Sequence, residues 1–198
     1  MAIRKILNGG VYLFGRYSIN NSPTINGLGK ITSYMNQQAS LTIKPLSADE
    51  TPIDLLLLAD PCKKKISEYI GSSEILGGYI GQDLVGIIVI VGISHDTMEV
   101  KNIAVQPTSQ GMGYGKEMLL KAVEIAKERN LKRIKIGTGN TSIGQLTFYQ
   151  NMGFEIQRVV KDFFTNNYPE PIYENGNQCT DMVELEMELA ESTSTQPG

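Results

Sequence analysis

Residues 103–115, Ile103-Ala-Val-Gln-Pro-Thr-Ser-Gln-Gly-Met-Gly-Tyr-Gly115, run from a β-branched apolar stretch through a glycine-rich turn onto a strongly amphipathic segment. Gly111, Gly113 and Gly115 reach backbone angles closed to other residues and present no side chain to an approaching ligand. The first N–H groups of a helix have no intrahelical partner and lie at the positive end of its dipole, so the turn predicts a cradle for a phosphate or pyrophosphate. The candidate contacts are main-chain groups of Gln110, Gly111, Met112, Gly113, Tyr114, Gly115 and Lys116. Lys116 or Lys121 supplies positive charge nearby, unless both are ordinary solvated helix lysines.

Spacing separates the glycine-rich phosphate loops. A Walker A loop needs Gly-Lys followed by Ser or Thr, and here Glu117 follows Gly115-Lys116, which leaves no hydroxyl for Mg²⁺. A dinucleotide fingerprint needs Gly-x-Gly-x-x-Gly, whereas these glycines alternate, and no acidic residue ends a second parallel strand about 20 residues on.

The continuation is informative. Met118, Leu119, Ala122, Ile125 and Ala126 recur with helical period over 116–130, and Lys132-Arg-Ile-Lys-Ile136 alternates as a strand. Then follows Ser142-Ile-Gly-Gln-Leu-Thr-Phe-Tyr-Gln-Asn-Met-Gly-Phe154. Gln110-x-x-Gly113-x-Gly115, with Tyr149, Gly153 and Phe154 downstream, resembles the acyl-CoA loop and following helix of the GNAT superfamily of N-acetyltransferases. Ser142 and Gln145 depart from that pattern, standing where the superfamily usually has Asn and Ala.

The resemblance implies an α/β fold: a mixed, mostly antiparallel seven-stranded sheet, splayed between strands four and five and flanked by helices. Its order fits the chain from Leu41. The expected strands are 41–46, 74–80, 84–93, 97–105, 132–136, 154–160 and 182–189, with short helices over 52–58 and 61–70. Ser47-Ala-Asp-Glu50 reads as a capped helix start. A splayed sheet leaves backbone groups without strand partners, and the amides of a pantetheine arm can pair with them. The resemblance assigns that contact to Ile103, Ala104 and Val105, with Ser142 near the arm, and makes acetyl-CoA the co-substrate without a metal.

It also implies acetyl transfer to a primary amine of a small molecule or peptide. The catalytic candidates are Tyr149, facing the CoA sulfur, and Glu99, where histone acetyltransferases of the superfamily carry a basic glutamate. Simple alternation puts Glu99 on one side of its strand with Lys101, Ile103 and Val105. Pairing with Lys101 is the structural alternative for Glu99, and helix packing is that for Tyr149. His95 is expected in an exposed turn. Thr141 or Ser142 is expected to cap the helix through a hydroxyl. The long 162–181 segment is expected to receive an amine with an apolar body through Phe163, Phe164, Tyr168, Tyr173 and Glu174, or else to pack for stability or a homodimer contact. Its wording is similar to that of a bacterial GNAT subgroup. The competing function is an acyl-CoA-binding sensor or assembly module without catalysis.

Composition bounds these readings. The 198 residues, 41% hydrophobic, suit one core-forming domain over 41–190, after a Gly/Asn/Ser/Thr-rich extension at 1–40 and before a polar tail at 191–198. The extension reads as an added strand, a tail, or a segment foreign to the natural protein. A net charge of −3 disfavours sequence-independent nucleic-acid binding. No apolar run is long enough for a membrane span, the start lacks a signal-peptide pattern, and two isolated cysteines fit a reducing cytoplasm.

Overall fold

The computed structural model of the chain describes residues 40–190; the expected tail and, save Ser40, the expected extension lie outside these. Seven strands form one sheet: β1 (Thr42–Leu46), β2 (Glu74–Ile80), β3 (Asp83–Gly92), β4 (Thr97–Val105), β5 (Arg133–Gly139), β6 (Glu155–Val160) and, after a separate β7–β8 hairpin (Ile172–Glu174, Asn177–Cys179), β9 (Met182–Glu188). Their order is β1-β2-β3-β4-β5-β9-β6, antiparallel except at β4–β5, which is parallel. This is the mostly antiparallel α/β architecture expected from sequence.

The helices divide between the two faces. α1 (Ile53–Leu56) and α2 (Lys63–Tyr69) bury Leu55, Leu56 and Ile66 against Ile87 and Val89 of β3. α3 (Tyr114–Glu128) and α4 (Ile143–Asn151) cover the other face, where Met118, Leu119, Ala122 and Ala126 meet Ile88 and Ile90. β3 is apolar on both faces because it has a helix layer on each side. Ser47 and Glu50 do exchange hydrogen bonds, as a capping pair would, but they close a turn ahead of Pro52; the helix begins only at Ile53.

Two features of β4 organise everything near it. Along β3 the pairing passes from Val89↔Asn102 to Ile90↔Val100, which leaves Lys101 as the extra residue of a β-bulge. Because side-chain direction has period two, one inserted residue inverts the faces beyond it. Met98 and Val100 therefore share the α3 face with Ile103, while Glu99 falls on the α1–α2 face with Asn102 and Ala104. The simple alternation that grouped Glu99 with Ile103 and Val105 is overturned by this bulge.

The second feature is a fork. β4 and β5 pair only from Thr97↔Arg133 to Val100↔Ile136. Beyond that, Gly137–Gly139 continue pairing with β9 on their other side. The closed end is clasped by Asp96: its carbonyl accepts from the N–H of Lys132 (2.8 Å) and Arg133 (3.1 Å), and its carboxylate pairs with the Arg133 guanidinium at 2.9 Å. Hydrogen bonds from Ser94 and Thr97, then Arg133, hold the Asp96 carboxyl well below the usual carboxylate range.

The segment between β6 and β9, expected as one long loop, contains α5 (Phe163–Asn167) and the β7–β8 hairpin. Asp181 ties its two ends together, accepting from the Asp162 N–H at 2.9 Å and pairing with Lys161 at 2.7 Å.

Close packing of α3 on the sheet depends on Gly86. A Cβ there would lie 2.9 Å from the Met118 sulfur and 3.0 Å from the Ala104 carbonyl oxygen, and the latter is backbone that cannot swing aside. Gly86→Ala is expected to lower unfolding stability by about 1–3 kcal/mol in urea titration; an unchanged midpoint would contradict this packing.

Candidate active site at the strand fork

At the mouth of the fork, β4 passes directly into the glycine turn. The Gln106 N–H donates to the Val85 carbonyl at 2.8 Å, Pro107–Ser109 make a single 3₁₀ turn, and the Gln110 side-chain amide donates back to the Val105 carbonyl at 3.0 Å. Gln110 thus organises the turn through its side chain. Gly111 (φ 78°) and Gly113 (φ 89°) occupy the left-handed region, where a Cβ is strained. Gly113 precedes α3 with no side-chain cap, so the first N–H groups of this helix are not satisfied by a capping side chain. Tyr114 turns its ring into the core, leaving only its main chain for a ligand, whereas Met112 and Lys116 are exposed. Lys121 is committed to Glu124 at 2.8 Å.

Ladder geometry tells which β4 groups face the fork. The Gln106–Val85 bond makes that pair hydrogen-bonded, so two residues back the Ile87↔Ala104 pair is too, and the pairs of Val105 and Ile103 are not. The N–H and C=O of Ala104 therefore point at β3, correcting its expected main-chain contact with a ligand. Those of Ile103 and Val105 point away from β3, into the opening beyond Val100.

Tyr149 is 5% exposed and packs between Phe148 (5.4 Å between ring centroids) and Phe154 (6.2 Å). It belongs to the same core cluster as Val100 and Ile136, the last paired residues of β4 and β5. Burial pushes its phenol pKa above the ordinary value of 10, so it stays protonated at neutral pH. Ser142 precedes α4 but makes no cap bond. Its hydroxyl and that of Thr141 both donate to Glu174 of the β7 strand, which corrects the capping expectation and accounts for the Ser142 hydroxyl within the protein.

Glu99 forms an ion pair with Lys101 at 2.9 Å and is part-exposed on the face that α1 and α2 share. His95 is exposed in its turn, as expected. Of the aromatic residues expected to receive an amine, Phe163, Phe164 and Tyr168 cluster, with centroids 5.2–6.5 Å apart. Tyr173 is exposed outside that cluster, and Glu174 is engaged by Ser142 and Thr141.

Sequence reasoning passed over Asp60, Tyr69 and Asn102. The Asn102 side-chain amide donates to the Leu56 carbonyl and the Tyr69 hydroxyl, both at 3.1 Å. Asp60 accepts from the Cys62 N–H at 3.1 Å, and the nearby Tyr168 hydroxyl favours its carboxylate form. Burial raises the Asp60 pKa and pushes that of Tyr69 up to about 12.

The profile of the Acetyltransferase (GNAT) family matches residues 47–154. The uncharacterized N-acetyltransferase YvbK of Bacillus subtilis is 46% identical over 136 residues, covering 69% of this chain and 88% of its own. A GNAT family acetyltransferase from Elizabethkingia anophelis with acetyl-CoA bound superposes with TM-score 0.73 at 45% identity, over 75% of this chain and 98% of that one. A Bacillus subtilis acetyltransferase in complex with CoA gives 0.71 at 44% identity, over 76% and 100%. The chain belongs to the GNAT family and is an N-acetyltransferase.

The glycine turn fits a diphosphate on its own geometry. A Cβ on Gly115 would meet only the Val105 side chain, at an ordinary 3.7 Å, so the fold itself has room for one. Gly115→Ala is therefore expected to hold or slightly raise thermal stability, since Ala favours a helix by up to about 1 kcal/mol over Gly. CoA affinity in titration calorimetry should fall at least tenfold, about 1.4 kcal/mol. Unchanged CoA affinity would place the diphosphate elsewhere.

Proposed function

We propose that the protein transfers the acetyl group of acetyl-CoA directly to a primary amine of a small molecule or peptide. The observation that carries the reading is that one strand, β4, supplies both the outward main-chain groups of Ile103 and Val105 and the entry into an uncapped glycine turn. A thioester-bearing tether with a diphosphate at its far end matches that arrangement. The Gly111–Gly115 turn and the α3 N-terminus would bind the diphosphate, and the Ile103 N–H and C=O would pair with the amides of the tether, the Val105 carbonyl being held by Gln110. The Val105 N–H is the candidate donor to the thioester carbonyl, where negative charge develops during transfer.

The amine must shed a proton to attack. A free amine of pKa about 10.4 is mostly protonated near pH 7, which costs roughly 4–5 kcal/mol of nucleophile availability. Glu99 is the proposed proton acceptor, acting directly or through water; its position on the α1–α2 face supports this, and its pairing with Lys101 competes with it.

At the leaving sulfur, Tyr149 is proposed as a hydrogen-bond donor. Its raised pKa lies above that of a thiol, about 8.5, so complete proton transfer to the thiolate runs uphill by at least roughly 2 kcal/mol. A donated hydrogen bond stabilises the developing charge without that transfer.

Acetyl-CoA and CoA should each raise the melting temperature while ATP and NAD do not, because a ligand selective for the folded state stabilises it by mass action; stabilisation by ATP or NAD alone would overturn the CoA reading. In a thiol-release assay over an amine panel, Tyr149→Phe should lower kcat about tenfold or more with CoA affinity nearly unchanged. Full turnover in that variant would remove Tyr149 from the chemistry. CoA binding without transfer to any amine would instead favour a non-catalytic acyl-CoA sensor. Glu99→Gln should lose most rate below about pH 8 and recover at higher pH, where free amine is more abundant; a loss independent of pH would argue against Glu99 as the acceptor.

A further inference from the structure

Asp60 carries an uncompensated charge. It is 9% exposed, and it accepts a hydrogen bond from the Cys62 backbone N–H, with the Tyr168 phenol beside it favouring the carboxylate and no ion pair to a lysine or arginine among the described residues. The two lysines that exert an electrostatic pull on it are engaged elsewhere: Lys65 with Glu68 at 3.0 Å and Lys101 with Glu99 at 2.9 Å. A buried carboxylate without a counter-ion costs several kcal/mol unless something offsets it.

A second acceptor atom in this neighbourhood lacks a partner. Asn102 is 3% exposed and its Oδ1 is enclosed without a hydrogen bond. Turning the amide over does not help, because Oδ1 would then face the Leu56 carbonyl to which Nδ2 now donates. Tyr69 links the two residues, accepting from Asn102 and lying within the field of Asp60. Three separate segments converge here: the α1–α2 connection, β4 immediately before Ile103, and the chain after α5, which brings Tyr168.

A recess of about 180 Å³ adjoins the cluster and shares Tyr168 with it; Phe164, Pro171 and Ile172 form its apolar wall, and Thr165, Glu170 and Gln178 its polar one. The combination is a buried anion, an unsatisfied acceptor and a recess beside them.

We propose that Asp60 and Asn102, with Tyr168, form the recognition site for the acceptor, and that they select a primary ammonium carried on a single-ring apolar body. This rests on the reading that the acceptor is an amine and narrows it. An ammonium group offers three N–H donors and a positive charge, which supplies a counter-ion for Asp60 and a donor for Asn102 Oδ1. Tyr168 lies beside Asp60, its hydroxyl favouring the carboxylate form, and presents its ring to the apolar body. Asp60 acts here in binding; the proton passes to Glu99.

The test uses phenethylamine and its uncharged counterpart 2-phenylethanol, each titrated into the CoA complex of the full chain and followed by calorimetry. The wild type should bind the amine at least thirtyfold more tightly than the alcohol. Asp60→Asn should bring the two within about threefold of each other while CoA affinity stays the same. Tyr168→Phe, which removes only a hydroxyl, should weaken the amine three- to tenfold and leave the alcohol unchanged; it carries the test alone if Asp60→Asn does not fold. Equal binding of amine and alcohol by the wild type, no amine binding, or discrimination preserved in Asp60→Asn or untouched in Tyr168→Phe would overturn the proposal. Discriminating binding without acetylation would leave this site standing and defeat the transfer reading. Acetylation of the amine with KM unaffected by Asp60→Asn would do the reverse.

Discussion

The molecule depends on two parallel strands parting after a short shared ladder. β4 and β5 hold four backbone pairs, from Thr97↔Arg133 to Val100↔Ile136, and then diverge. Main-chain groups beyond such a point cost free energy if nothing pairs with them, so a fork inside a sheet persists only where the surroundings hold it open and a ligand can satisfy it. Here the surroundings are identifiable. Asp96 clasps the closed end through backbone and side chain, β9 draws β5 to one side through Gly137–Gly139, and two layers of apolar packing fix β4 through β3 on the other.

The bulge at Lys101 lies immediately beyond the last β4–β5 pair. It lets one strand serve two faces: Val100, before it, packs toward α3, and Asn102, after it, packs toward α1 and α2. The result is a division of labour along a few residues. Diphosphate and tether chemistry run along the fork edge from Ile103 to Gly115, while Glu99, Asn102 and Asp60 gather on the α1–α2 side, where α5 and the residues after it close over through Tyr168.

The glycine turn, the helical period of α3, the Tyr149-x-x-x-Gly153-Phe154 pattern and the succession of strands along the chain were all legible in the sequence because each is written in neighbouring residues. The side chains around the site were less so. One-residue bulges carry no local signature in Glu-Val-Lys-Asn, so the parity of Glu99 was misread. The bond from Ser142 to Glu174 spans 32 residues and that from Asn102 to Leu56 spans 46, and no spacing rule reaches so far. Nothing adjacent in sequence marks Asp60 as buried, because its burial comes from tertiary packing. Gln110 matched the loop motif, yet what its side chain bonds to became visible only with the turn closed on Val105.

Amide hydrogen exchange resolved to single residues, with and without CoA, tests the central claim most directly. The N–H groups of Ile103 and Val105 should exchange readily in the free protein and become strongly protected when CoA is added, while that of Ala104, already bonded within the β3 ladder, should change little. Ile103 and Val105 amides indifferent to CoA would show that the fork edge is not where the tether lies.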